Sequence, residues 1–240
     1  MKRPPILILH GWSLSADRYT PLIQELSRMG YSAYAPDLPG FGTASIPKKP
    51  LQLNNYVDFV EKYIKKHAIV NPIIIGHSFG GRVAIKYASV YGPSLTGIIL
   101  SGTPGYPSVK KWKWFLSYLI SKFGNMLFSL LYFHGREEKI RSWFYTIVGA
   151  KDYSRAGGVM RETFKNIVSE KLHACMKQIR IPSLLLWGER DILVPLWVAK
   201  KMHKTLINST VVVLTGVGHN VVITNPKRVA QEVHRFIQSV

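Results

Sequence analysis

The sequence has little of several things, and each shortage excludes something. Cysteine occurs once, at Cys175. No disulfide can form within the chain, so the fold must rest on packing suited to a reducing compartment. No apolar run has the length and purity of a membrane-spanning helix. The basic start Met1-Lys2-Arg3 leads into an apolar stretch too short for a signal-peptide core. The chain therefore reads as cytoplasmic. Acid is scarce: 13 Asp and Glu stand against 32 Lys and Arg, a formal net charge of +19. That balance is read either as attraction to nucleic acid or an anionic membrane or, in preference, as the solvated helix faces of a basic protein. The basic residues are scattered in pairs such as Lys48-Lys49, Lys65-Lys66, Lys110-Lys111 and Lys200-Lys201. No nucleic-acid motif accompanies them, so no specific nucleic-acid partner is expected, and peripheral membrane contact stays open. Internal repeats and low-complexity segments are missing too.

What is present is core-forming material, 47% hydrophobic residues in 240, enough for one large α/β domain with an insertion. Short apolar runs at 5–9, 31–35, 72–75, 95–100, 181–187 and 210–214 read as strands. Between them lie amphipathic helical patterns, at about 16–29, 56–64, 82–91, 195–204 and 226–237. Six buried strands alternating with helices imply a mainly parallel, doubly wound sheet covered on both faces. Chemistry in such sheets gathers beyond the carboxyl ends of the strands. Trp12, Ser78, Asp191 and His219 each come just after a strand.

Gly76-His77-Ser78-Phe79-Gly80-Gly81 organises the rest. It follows the strand 72–75 and opens a helix, which makes a sharp turn with serine at its apex. Such a turn strains the serine backbone and needs small neighbours, supplied by Gly76 and Gly80. It lifts the Ser78 hydroxyl above the strand ends and turns the Phe79 N–H toward an incoming anion. Serine needs a base to become nucleophilic. Of eight histidines, His219 is the best placed, in a Gly-flanked loop after the last strand. His67, His203 and His234 read as solvated helix residues, while His134 and His173 lie in or beside the insertion. His77 is expected to point away from the serine, and His10 to be structural. Asp191 is the natural carboxylate to orient His219, with Glu189 the weaker rival. Asp37 reads as a loop-fixing residue.

The order Ser, Asp, His resembles the α/β-hydrolase superfamily, in its lidded serine-esterase branch. His10-Gly11-Trp12 is similar to its oxyanion loop, and Asp37-Leu38-Pro39-Gly40-Phe41-Gly42 to its D-x-x-G-x-G turn. Trp187-Gly188-Glu189-Arg190-Asp191 and Gly216-Val217-Gly218-His219 resemble its acid and histidine loops. The resemblance implies Ser78 as nucleophile, Asp191 as acid and His219 as base. It also implies an oxyanion hole from the Trp12 and Phe79 N–H groups, and no metal or organic cofactor. A serine nucleophile sets the chain apart from the dehalogenase and epoxide hydrolase branches, which carry aspartate there. The family usually begins with an antiparallel hairpin, and here the first strand starts almost at Met1. The edge formed by 31–35 is then expected to be unpaired, which leaves monomer and homodimer both open.

Residues 104–170 interrupt the alternation where the family carries its cap. The expected division is a hydrolase core of 1–103 and 171–240 with a helical lid of 104–170. Half of the aromatic side chains fall in that lid. A continuous helix would show two apolar faces, the second carrying Trp114, Tyr118, Phe128 and Tyr132 as candidate substrate contacts. Two shorter helices broken at Gly124-Asn125 would bury one face each. Either way an aromatic-rich lid favours a hydrophobic substrate. The expected activity is carboxylester hydrolysis of small to medium hydrophobic esters through an acyl-enzyme. C–C bond hydrolysis, amide hydrolysis and perhydrolysis share the same residues, and a non-catalytic binding protein shares the fold.

Overall fold

A computed structural model of the chain describes residues 3–106 and 158–240. Among them one sheet carries six strands: β1 (Ile6–Leu9), β2 (Ala33–Tyr34), β3 (Ile73–His77), β4 (Gly97–Ser101), β5 (Ser183–Gly188) and β6 (Ser209–Leu214). Their spatial order is β2-β1-β3-β4-β5-β6, and every pairing is parallel. The helices are α1 (Thr20–Arg28), α2 (Leu53–Lys66), α3 (Phe79–Tyr91), α4 (Gly158–Ser169), α5 (His173–Gln178), α6 (Leu196–His203), α7 (Val221–Thr224) and α8 (Pro226–Gln238).

The period-two alternation of the strands builds two cores. Leu7, Leu9, Ile74, Ile98, Leu100, Leu185 and Trp187 face one side, against Val57 and Val60 of α2, Val83 of α3 and Met202 of α6. Ile6, Ile8, Ile73, Ile75, Ile99, Leu184 and Leu186 face the other, against Leu22 and Leu26 of α1 and Val229 and Val233 of α8. Both sets are buried, as central parallel strands require. Each such side chain contributes ~1.5–3 kcal/mol of transfer free energy. The register levels the carboxyl ends: Leu9 pairs with Gly76, Gly76 with Leu100, and Gly188 with Leu214.

Several elements differ from the sequence expectation. The run at 31–35 is a strand for two residues only, Ala33–Tyr34, each half-buried. So short an edge offers few free backbone groups for another chain to pair with. The helix expected over 16–29 opens as a 3₁₀ turn, Ala16–Tyr19, because α1 starts afresh at Thr20-Pro21, where proline suits a first turn. The edge strand β6 is only partly buried. His234 is not merely solvated, since the Tyr31 hydroxyl lies 2.7 Å from its Nδ1.

Helix α4 falls inside the interval 104–170. Its Met160 and Ile167 join the core that contains Leu9 and Trp12. Its Thr163 hydroxyl accepts from the Leu51 N–H at 3.0 Å, and Asn166 Nδ2 donates to the Leu51 carbonyl at 3.2 Å. The candidate contacts Trp114, Tyr118, Phe128 and Tyr132 lie outside the described residues. Among the described residues no helix is long and apolar enough to cross a membrane.

Candidate active site

Ser78 stands between β3 and α3 with φ +50° and ψ −109°, a left-handed value that a non-glycine residue rarely adopts. Its N–H is held by the Ser101 carbonyl at 2.8 Å. The small neighbours are required by space. A Cβ on Gly80 would come within 2.1 Å of the Leu9 carbonyl oxygen, and one on Gly76 within 2.5 Å of the Gly81 Cα. These contacts press the first turn of α3 against the ends of β1 and β3.

Three side chains far apart in sequence meet here. His219 Nδ1 lies 2.8 Å from Asp191 Oδ2, and His219 Nε2 lies 3.1 Å from Ser78 Oγ. A carboxylate can only accept, so Nδ1 carries the proton and Nε2 is left to accept from the serine hydroxyl. Asp191 is buried, and its Oδ1 accepts the N–H groups of Leu193 at 3.0 Å and Val194 at 2.8 Å. Both oxygens are thus committed and the carboxylate cannot turn. Glu189, the rival carboxylate, instead accepts the Gly216 N–H at 2.9 Å and braces the loop that carries His219.

A model of the alpha/beta hydrolase fold matches residues 4–226. The chain belongs to the α/β-hydrolase family. Monoacylglycerol lipase ABHD6 of Rattus norvegicus is 27% identical to this hydrolase over 258 residues, covering 99% of this chain and 76% of that protein. The pimeloyl-acyl-carrier-protein methyl ester esterase of Xanthomonas oryzae pv. oryzae is 26% identical over 257 residues, covering 99% and 96%. Among solved structures, the esterase EaEST of Exiguobacterium antarcticum superimposes with a TM-score of 0.73 at 19% identity, covering 98% of this chain and 92% of that one.

The remaining residues of this hydrolase's site fall into place around the serine. Phe79 is the first residue of α3, so its N–H has no preceding turn to donate to. Trp12 stacks edge-on against Phe79 at 5.4 Å, Phe41 at 4.8 Å and Phe164 of α4 at 5.0 Å. These rings form one largely buried aromatic cluster that includes Phe79, the residue after Ser78. His10 is structural, as its position suggested: its Nε2 accepts the Leu38 N–H at 2.9 Å, and burial lowers its pKa. Asp37 fixes its loop by accepting from the Ala16 N–H at 2.7 Å and from the Thr43 N–H and hydroxyl, each at 2.8 Å. Burial pushes its carboxyl up, but these donors and His10 together hold it below the ordinary value.

The sequence reading missed three residues that support the site. Tyr19 is the first. Its hydroxyl accepts the Gly11 N–H at 3.0 Å and donates to His77 Nδ1 at 2.7 Å. His77 turns from the serine, yet its ring lies 5.4 Å from that of His219. Burial pushes the His77 pKa down to about 3; the charges of His219 and His10 add to the fall, and the His219 backbone opposes it. Its Nε2–H faces that backbone without a hydrogen bond of normal geometry. The second is Gly102, at φ +53°, where a Cβ would come within 2.9 Å of the His219 ring. The third is Arg82 of α3. It donates to the carbonyls of Pro104 (2.6 Å), Ile167 (2.8 Å) and Glu170 (2.5 Å), and so ties α3 to the exit of β4 and the end of α4. A Gly after strand β4 and an Arg in an apolar helix face were the only sequence signals. No group of three or more His, Cys, Asp or Glu side chains gathers among the described residues as a metal site would need.

Proposed function

We propose that this α/β-hydrolase is a serine carboxylesterase acting on small to medium hydrophobic esters. The observation that carries the reading is the hydrogen-bonded line from Ser78 Oγ through His219 to Asp191. In the proposed mechanism Ser78 Oγ attacks the ester carbonyl as His219 Nε2 takes its proton. Asp191 stabilises the imidazolium through Nδ1. The Trp12 and Phe79 N–H groups receive the oxyanion. Collapse expels the alcohol, which takes the proton from His219 and leaves an acyl group on Ser78. Water then gives a proton to His219 and attacks the acyl carbonyl; collapse releases the acid, and Ser78 Oγ takes the proton back from His219.

The ester bond is favoured over other acyl bonds because relatives at 26–27% identity include a monoacylglycerol lipase and a methyl ester esterase. A hydrophobic acyl group is favoured by the aromatic side chains of 104–170, half of those in the chain. The lid assignment for 104–170, and Trp114, Tyr118, Phe128 and Tyr132 as acyl contacts, belong to the same proposal. A series of p-nitrophenyl esters tests it. Each methylene buried is worth ~0.8 kcal/mol, so kcat/KM should climb from acetate toward hexanoate. Alanine at the four aromatic positions should flatten that climb while sparing acetate. A parent that prefers acetate would sink the hydrophobic-acyl reading, and no turnover of any ester would sink the esterase.

A further inference from the structure

The outer face of α6 has no role in the chemistry above. Trp197, Lys200, Lys201 and Lys204 recur at helical spacing and are all exposed, while Val198, Ala199 and Met202 face the core. The turn before the helix adds Ile192, 87% exposed, and Leu193, 49% exposed; Trp197 is 44% exposed. Single exposed apolar residues are ordinary. Three within six positions, one of them tryptophan and all continuous with three lysines, form a patch that calls for a partner. The patch begins at the catalytic edge, since Asp191 precedes Ile192 and holds the Leu193 N–H.

Among the described residues no Asp or Glu forms an ion pair with these lysines. The sequence has no Asp or Glu between Ile192 and Gln231. Asp191 is taken up by His219 and two loop N–H groups, and Glu189 accepts from Gly216. Lys201 Nζ sits 4.2 Å from the centre of the Tyr106 ring, and its charge stays at the surface.

We propose that this face docks the protein on an anionic phospholipid bilayer. Ile192, Leu193 and Trp197 enter the headgroup boundary, and Lys200, Lys201 and Lys204 meet the lipid phosphates. From Trp197 to Lys204 the helix rises ~10 Å, about the depth over which a charged surface acts at physiological salt. Lysine stems reach along apolar surface while their ammonium groups stay hydrated. A nucleic acid or an acidic protein would satisfy the lysines but leave the aliphatic tip unmatched. Docked this way, the edge bearing Ser78 turns toward the lipid.

Co-sedimentation of the full chain with phosphatidylcholine vesicles, with and without phosphatidylserine, tests the proposal. Binding is read directly and needs no ester turnover, so it stands or falls apart from the esterase reading. The protein should bind the phosphatidylserine vesicles, and salt should weaken that binding. Lys200→Glu with Lys204→Glu should weaken it at least about tenfold. Lys62→Glu with Lys66→Glu, the same charge change at the far end of α2, should weaken it by no more than about twofold. Ile192→Ser with Trp197→Ser should weaken it as well, with unfolding temperatures near that of the parent. No vesicle binding would overturn the proposal. So would equal losses from the two lysine pairs, which would mean net charge alone, or a patch whose variants abolish a dimer but leave vesicle binding unchanged.

Discussion

Asp191 and Glu189 lie two residues apart on one loop, and their partners separate their roles. Asp191 reaches His219 and Glu189 reaches a backbone N–H. Asp191→Asn should lower kcat by about 10³–10⁴, because an amide can present an N–H to Nδ1 and hold the wrong tautomer. Glu189→Gln should cost less than about tenfold, since its amide oxygen can still accept from Gly216. Kinetics on one soluble ester decide this, and a larger loss from Glu189→Gln would reverse the assignment. His77 makes a second residue-scale prediction. Its folded pKa of about 3 lies below the ordinary value of 6.5. The folded state therefore refuses a proton that the unfolded chain accepts. The resulting stability is complete above pH 6.5 and declines as pH falls toward 3, by up to ~1.4 kcal/mol per unit. His10 acts in the same direction, whereas Asp37 contributes only nearer pH 4. Denaturant unfolding between pH 7.5 and 5 should show this decline, and His77→Gln should make it shallower. Equal slopes would remove His77 as its source.

At the scale of elements, α3 does two jobs. Its N-terminus presents Ser78 and Phe79, and its Arg82 gathers carbonyls from Pro104, Ile167 and Glu170. Arg82→Leu should leave these acceptors without a donor and cost ~3 kcal/mol or more. Hydrogen exchange should then rise over 158–170 before it rises in β3. Unchanged exchange and stability would show that water replaces the guanidinium. The strand-turn-helix around Ser78 was legible because glycine spacing and an apolar run state that geometry locally. Arg82 was not, because its partners lie 22, 85 and 88 residues away. Tyr19 was hidden the same way: it looks like any apolar position on a helix face until His77 arrives from 58 residues on. The two-residue strand β2 was overestimated because an edge needs less apolar pattern than its sequence happens to carry.

At the scale of the whole molecule, parallel pairing of six strands brings the ends of β1, β3, β5 and β6 to one edge. That convergence turns residues 78, 191 and 219 into neighbours, and motif order alone could anticipate it. The surplus of positive charge was equally visible, but not its placement beside exposed Trp197 on α6 and Ile192 and Leu193 in the turn before it, which depends on which helix face the core takes. The central claim is that this assembly forms an acyl-enzyme at Ser78. Intact mass measured during turnover of a slow p-nitrophenyl ester tests it most directly. The account predicts a chain heavier by one acyl group, carried on the peptide that contains Ser78. It also predicts that Ser78→Ala loses both the adduct and at least about 10³-fold in kcat. Turnover by Ser78→Ala within about tenfold of the parent, or an acyl group found on another residue, would contradict it.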